Sequence, residues 1–343
     1  GRVLRQGSLG LGESYMDGWW NAERLDEFFT KVLAAELDRK VISPLSVIFN
    51  AITSKILNPQ RKSKAFEIGE RHYDIGNDLY EAMLDKRLTY TCGYWQNINM
   101  RSDNLDRAQE AKLDLVCKKL GLKKGDRILD IGCGWGSFAK FAAERYGATV
   151  LGITVSKEQV ELGNKLCQGL PVEIRLMDYR DLGEEFNHIV SLGMFEHVGC
   201  KNYREYMEIV HRSLKDDGLF LLHTNGRNTT GLGTDPWIAK YIFPNSMLPS
   251  IAQIGKSVEG LFVMEDWHNF SFHYYPTLMA WFSRFDAAWP ALKEKYGERF
   301  YRMWKYYLMA SAGSFKSRKN QLWQIVLSKN GVSGGYKSIR LLN

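Results

Sequence analysis

The chain of 343 residues is 45% hydrophobic and 25% charged with a net charge of +7, a globular balance that excludes a disordered or fibrous protein. No apolar run approaches the ~20 residues of a membrane-spanning helix, and no secretory leader is visible. The five cysteines are odd in number and contain no CxxC pair, which argues against a disulfide framework or zinc site and suits a reducing cytosol.

The segment to about Gln60 reads as helical. Leu25, Phe28, Phe29, Val32, Leu33 and Leu37 follow helical spacing, and after Pro44 a second stripe runs through Leu45, Ile48, Phe49, Ile52 and Ile56. Asn58-Pro59 ends it. Residues 1–60 are therefore expected to form a small helical N-terminal domain, and a start at Gly1 rather than Met suggests that upstream residues are missing. Two basic groups, Arg61/Lys62/Lys64 and Lys316/Arg318/Lys319, are either solvated surface or an attraction for an anionic surface.

From Asp126 the pattern alternates. Strands are predicted at Arg127–Ile131, Thr149–Val155, Val172–Met177, His188–Leu192 and Leu219–Thr224, with helices over Ser137–Arg145 and around Gln159, Leu162 and Leu166. Such a βαβ rhythm predicts a parallel sheet with helices on both faces. Two late strands, Gly260–Met264 and Leu322–Leu327, bracket a long aromatic helical region and would complete seven strands. The intervening 225–257 stretch, with Pro236, Trp237, Tyr241, Phe243, Pro244 and Pro249, is too long for a plain connection and suggests an inserted apolar lid.

The strongest local signal is Asp130-Ile131-Gly132-Cys133-Gly134-Trp135-Gly136 at the end of the first strand. Its glycines allow a sharp turn and a close ligand approach, and the next helix offers free N–H groups. A dinucleotide fingerprint would need a third glycine at position 137, which is Ser137. Asp130 suits the cationic amino-acid end of S-adenosylmethionine and would repel a pyrophosphate. The expected fold is therefore a Rossmann-like, S-adenosylmethionine-dependent methyltransferase fold, α/β with a seven-stranded mostly parallel sheet. Thr154 and Gln159 are the candidates for the ribose hydroxyls. Asp178, or else a mere turn, is the candidate for the adenine amino group, with Tyr179 beside it.

The sequence resembles the bacterial cyclopropane-fatty-acyl-phospholipid synthases over essentially its whole length. The resemblance is carried by Gly7–Trp20, by the His72-Tyr73-Asp74-Ile75-Gly76-Asn77-Asp78 stretch, and by Tyr90-Thr91-Cys92-Gly93-Tyr94-Trp95. Beyond the glycine motif it continues through Met194-Phe195-Glu196-His197-Val198-Gly199, Leu222-His223-Thr224, Asp235-Pro236-Trp237 and Glu265–Phe270. It implies methylation of a cis double bond in a phospholipid acyl chain, followed by loss of a proton and ring closure. The family's proton acceptor is a bound bicarbonate, and its cage carries over to Cys92, Glu196, His223, Asn225 and Tyr274. Backbone N–H groups at Cys92 and near Asn225 are implied to complete it.

From the residues alone, Glu196 is equally a loop-bonding carboxylate, His223 a satisfied core histidine, and Cys92 a structural thiol. Tyr90 and Thr91 are implied to approach the amino-acid end of S-adenosylmethionine. No metal site is expected, and no module or basic stripe points to nucleic acid. The resemblance further implies a homodimer peripherally bound to the inner face of the bacterial cytoplasmic membrane. The N-terminal domain would dock there, ahead of a catalytic domain over 61–343. Deleting residues before Asn58 is then expected to spare cofactor binding and abolish turnover on vesicles. A small-molecule amine methyltransferase is the competing reading.

Overall fold

The computed structural model describes residues 1–37, 76–231 and 233–340. The stripe at Leu45–Ile56, the basic group at Arg61–Lys64, His72–Ile75 and the domain boundary near residue 60 lie outside the described residues. Two N-terminal helices, α1 (Arg2–Met16, kinked at Gly7) and α2 (Leu25–Ala34), precede α3 (Asn77–Met83) and α4 (Leu105–Leu120). The α/β body follows as β1 (Arg127–Ile131), α5 (Ser137–Tyr146), β2 (Thr149–Thr154), α6 (Lys157–Leu166), β3 (Val172–Leu176), β4 (Phe186–Leu192), α7 (Tyr203–Ser213) and β5 (Leu214–Arg227). Two short helices, α8 (Pro236–Tyr241) and α9 (Ile251–Val258), lead to β6 (Val263–Asn269). The long helices α10 (Tyr274–Tyr296) and α11 (Glu298–Lys316) then lead to β7 (Asn320–Ser328).

The seven strands form one sheet in the order β3-β2-β1-β4-β5-β7-β6. The first five are parallel; β7 runs antiparallel between β5 and β6. Alternation along β1 explains why both faces are covered. Ile128 packs with Leu113, Val116 and Cys117 of α4, whereas Leu129 and Ile131 pack with Tyr206, Met207 and Val210 of α7. A strand covered on both faces is buried at nearly every position, and Ile128–Ile131 are all buried, Asp130 included.

Several strand ends differ from expectation, and two of them bear on the site. The sixth strand lies at Val263–Asn269, not Gly260–Met264. Leu261 and Phe262 instead pack against the core ahead of the strand, and its inner positions are polar. The fifth strand runs on to Arg227, paired with Asn320, so Asn225 belongs to the sheet and not to the start of the insertion.

The N-terminal helices are not a separable appendage. Tyr15, Met16, Leu25 and Phe29 are buried in one core with Trp304, Tyr306, Leu308 and Phe315 of α11. Arg302 donates to the Tyr15 and Trp20 carbonyls at 2.6 and 2.9 Å, and Tyr275 donates to buried Asp26 at 3.0 Å. Removing them would strip α11 of its cover.

Candidate active site

A cavity of about 1690 Å³ lies at the carboxyl ends of the parallel strands, where open α/β sheets bind ligands. One wall is the turn after β1. The amides of Gly132 and Cys133 donate to the Ile153 carbonyl at 2.9 and 3.1 Å, holding the turn against β2. Gly132 has φ +78° and a Cβ there would come 2.6 Å from Met194 Cβ, whereas a Cβ on Gly134 would meet nothing. The backbone at Gly134 is thus open to a ligand.

Asp130 lies in the same wall, 1% exposed. Burial pushes its carboxyl up to about 7, and the charge of Lys112 works against that shift. A buried carboxylate of this kind is stabilised by a cationic ligand group, which fits the ammonium of S-adenosylmethionine. Gln159 also lines the cavity, and Thr154 lies behind it: its hydroxyl donates to Gln159 Oε1 at 2.6 Å, leaving the amide NH₂ to face a ligand. Thr154 therefore orients Gln159 and is not itself in the wall. Asp178 differs from expectation more sharply. One oxygen accepts the Arg180 amide and the other pairs with its guanidinium, both at 2.9 Å. The carboxylate is held within its own turn, and neither it nor buried Tyr179 lines the cavity.

Tyr90 and Thr91 reach the wall from the segment between α3 and α4, which α4 clamps. Gln109 donates to the Thr91 carbonyl at 2.7 Å, and the fully buried Lys112 donates to its hydroxyl at 2.8 Å. Tyr90 packs edge-to-face on Tyr80 and tilted against Trp281, each 5.2 Å away between centroids, and its hydroxyl meets that of Tyr307 at 3.0 Å. The site thus has an aromatic lining that sequence reasoning did not single out, including Trp135, Trp304 and Tyr307. Leu9, Leu11, Phe28, Phe29 and Leu33 of α1 and α2 form a further apolar wall.

A second polar group lies in the same cavity. Glu196 and His197 sit on a 3-10 turn after β4 (Phe195–His197), Asn225 on β5 and Tyr274 at the start of α10. The Asn225 amide donates to Glu196 Oε1 at 2.6 Å, so this N–H, expected to serve an anion, serves Glu196 instead. Burial pushes the Glu196 carboxyl up to about 7. Burial also raises Tyr274, helped by nearby Tyr307, Cys92 and Glu196, while the Asn225 side chain lies beside both Glu196 and Tyr274. Glu196 Oε2 and Asn225 Oδ1 are buried without a partner among the described residues.

Cys92 and His223 are buried just outside the wall. The Cys92 thiol bonds to the Gly93 carbonyl at 3.2 Å and lies 3.8 Å from the Thr277 hydroxyl, and burial drives its pKa far up. It is a structural thiol; a role as nucleophile or base does not fit these surroundings. Burial and the charges of Lys112 and Lys119 keep His223 neutral, and its Nε2 is buried without a partner among the described residues.

Residues 60–325 match the family model described as mycolic acid cyclopropane synthetase. The cyclopropane-fatty-acyl-phospholipid synthase of Escherichia coli K12 is 53% identical over 339 residues, 99% of this chain and 87% of that protein. A probable fatty acid methyltransferase of Pseudomonas putida is 36% identical over 277 residues, 77% of this chain and 69% of that one. Among solved structures, the cyclopropane synthase MmaA2 of Mycobacterium tuberculosis aligns with TM-score 0.72 and 30% identity over 77% of this chain and 98% of that one. The mycolic acid cyclopropane synthase CmaA1, complexed with SAH and CTAB, aligns with TM-score 0.70 and 31% identity over the same shares. The chain belongs to the cyclopropane synthase family and is an enzyme with the S-adenosylmethionine-dependent methyltransferase fold.

Proposed function

We propose that the protein transfers the methyl group of S-adenosylmethionine to the cis double bond of an unsaturated acyl chain in a phospholipid and closes a cyclopropane ring. The observation that carries this reading is one cavity holding both the Gly132–Gly134 turn and the Glu196–Asn225–Tyr274 group, between apolar walls from α1 and α2. Its volume exceeds the ~300–1,000 Å³ of an ordinary small-ligand site, leaving room for a long apolar substrate beside the methyl donor.

The alkene π electrons form a bond to the methyl carbon while the carbon–sulfur bond breaks, releasing S-adenosylhomocysteine and leaving a carbocation. Loss of a proton from the new methyl group supplies the electron pair that closes the ring. Tyr90, its aromatic neighbours and the apolar walls exclude water from the cation. Asp130, Gln159 and the clamped Tyr90–Thr91 segment orient the donor, which supplies proximity.

The orphaned acceptor Glu196 Oε2 and the orphaned His223 Nε2 fit a small anion that carries one hydroxyl. Bicarbonate, when bound, supplies a proton acceptor. Glu196 would hold its hydroxyl and His223 and Tyr274 its oxygens, with Cys92 contributing backbone alone.

Exposed Leu4, Trp19 and Leu37 on and beside the cavity-lining helices support peripheral contact with the inner face of the cytoplasmic membrane. Among the described residues no helix is long and apolar enough to cross one. The homodimer expected from the resemblance is checked by sedimentation.

Mass spectrometry of unsaturated phospholipid vesicles after incubation with enzyme and S-adenosylmethionine tests the reaction. A gain of one CH₂ unit in a product that resists hydrogenation is expected. A hydrogenatable methylated chain, or no lipid product, would overturn the reading.

A further inference from the structure

A buried polar row crosses the sheet beside the candidate site. His223 on β5, Gln324 on β7 and His268 on β6 stand directly opposite one another in register, so their side chains share a face. Lys119, from the last turn of α4, lies on this row at 1% exposure, and Gln324 is fully buried. Lys119 Nζ donates to Gln324 Oε1 at 2.9 Å and lies 3.0 Å from His268 Nδ1. Asp266, held by Arg340 and Ser338, is 3.9 Å from the same amine.

We propose that Lys119 and Gln324 are positioning residues that hold His223 as the Nε2–H tautomer, so that its ring offers a hydrogen-bond donor to the anion side of the site. The argument is one of donor inventory. A lysine ammonium has N–H groups and no lone pair, and Asp266 favours that charged form against the burial that lowers the Lys119 pKa to about 7, so the carbonyl of Gln324 faces Lys119. Its NH₂ then faces His223 Nδ1, 3.3 Å away. Nδ1 must accept, and a neutral imidazole that accepts at Nδ1 carries its proton on Nε2. Burial, with Lys112, Lys119 and His268 around the ring, disfavours a second proton. The result is a buried Nε2–H without a partner among the described residues. Such a donor is costly unless an acceptor that is not part of the protein takes it. The neighbouring strand residue Asn225 and the Gly193 amide, which donates to the His223 carbonyl at 2.8 Å, place this row against the cavity wall.

This inference rests on the reading of His223 as a site residue. ¹⁵N-histidine NMR of the intact protein reads the tautomer directly, and Nε2–H in the wild-type chain is expected; Nδ1–H there would overturn the proposal without any variant. Gln324→Glu places a carboxylate oxygen at Nδ1 and should move the proton to Nδ1. Turnover should then fall about 10²-fold, while S-adenosylmethionine affinity stays within about threefold. The near-isosteric Gln324→Met, which introduces no new charge, should give mixed tautomers and about a tenfold loss of turnover.

A tautomer unmoved in both variants, or moved with turnover unchanged, overturns the proposal. If His223→Phe retains turnover, the reading of His223 as a site residue fails. A wild-type Nε2–H in that case would still establish the hydrogen-bond row.

Discussion

Glu196→Gln separates chemistry from stability, because the two should move in opposite directions. The amide oxygen of Gln keeps the bond from the Asn225 N–H, so local structure survives. The other position, now Oε2 and without a partner among the described residues, changes from an acceptor to a donor. Losing a hydrogen bond to an ionised acceptor costs roughly 1.5–3 kcal/mol, which is about a 10- to 150-fold loss of turnover.

Stability should rise instead. A carboxyl held at about 7 in the folded chain against an ordinary 4.5 binds more protons folded than unfolded between those values. Stability is therefore greatest below 4.5 and falls as pH rises through about 7. The difference amounts to about 3 kcal/mol above that range, and Gln removes it, so the variant should melt several degrees higher than the wild type at pH 8. Methyl transfer from labelled S-adenosylmethionine at constant bicarbonate, with thermal melts at pH 5 and 8, measures both. Turnover within threefold of wild type would refute the assignment of Oε2 to the reaction. A lower melting temperature at pH 8 would refute the burial argument.

Three further outcomes follow from the packing. Glu13 accepts from Lys240, Tyr241 and Arg2, and these contacts, Lys240 foremost, hold its carboxyl down at about 2. Its contribution is present above the ordinary 4.5 and lost as pH falls through about 2. Glu13→Gln should therefore speed limited proteolysis in α8 at neutral pH, with no difference from wild type in strong acid. A Cβ on Gly12 would lie 2.2 Å from Trp237 Cδ1; Gly12→Ala should destabilise the fold by roughly 1–3 kcal/mol in denaturant titrations. Because the Cys92 thiol is buried and its pKa raised, Cys92→Ala should stay within about tenfold of wild-type turnover. Iodoacetamide should leave Cys92 of the native protein unlabelled in peptide mapping.

What could be read from the sequence was local chemistry and apolar periodicity. The turn at Gly132–Gly134 is legible because a left-handed backbone and a close approach require glycine at fixed places after a strand. Glu196 and Tyr274 came through the family resemblance, since neither has a pattern of its own. The sixth strand reads too early in the sequence because apolar Leu261 and Phe262 run straight into Val263, its true first residue. The chain instead pairs Asp266, Trp267 and His268 with β7 and turns Asp266 and His268 toward Lys119. Periodicity cannot show that a lysine on α4 meets a glutamine 205 residues later. The same blindness hid Lys112 beneath Thr91.

The N-terminal helices pose the harder question. The matched family model begins at residue 60, so α1 and α2 lie outside it, yet Leu9, Leu11, Phe28, Phe29 and Leu33 line the cavity that holds Asp130 and Glu196. A chain beginning at residue 60 would keep the glycine turn and the Glu196–Asn225 bond but would leave Tyr306 and Phe315 of α11 without their cover. The apolar wall of the cavity and the stability of α11 therefore draw on the same helices. The staple at Glu13 should affect both: when α8 loosens from α1, affinity for the acyl chain should weaken together with resistance to proteolysis, while the cofactor wall at Gly132–Gly134, held by β2, stays in place.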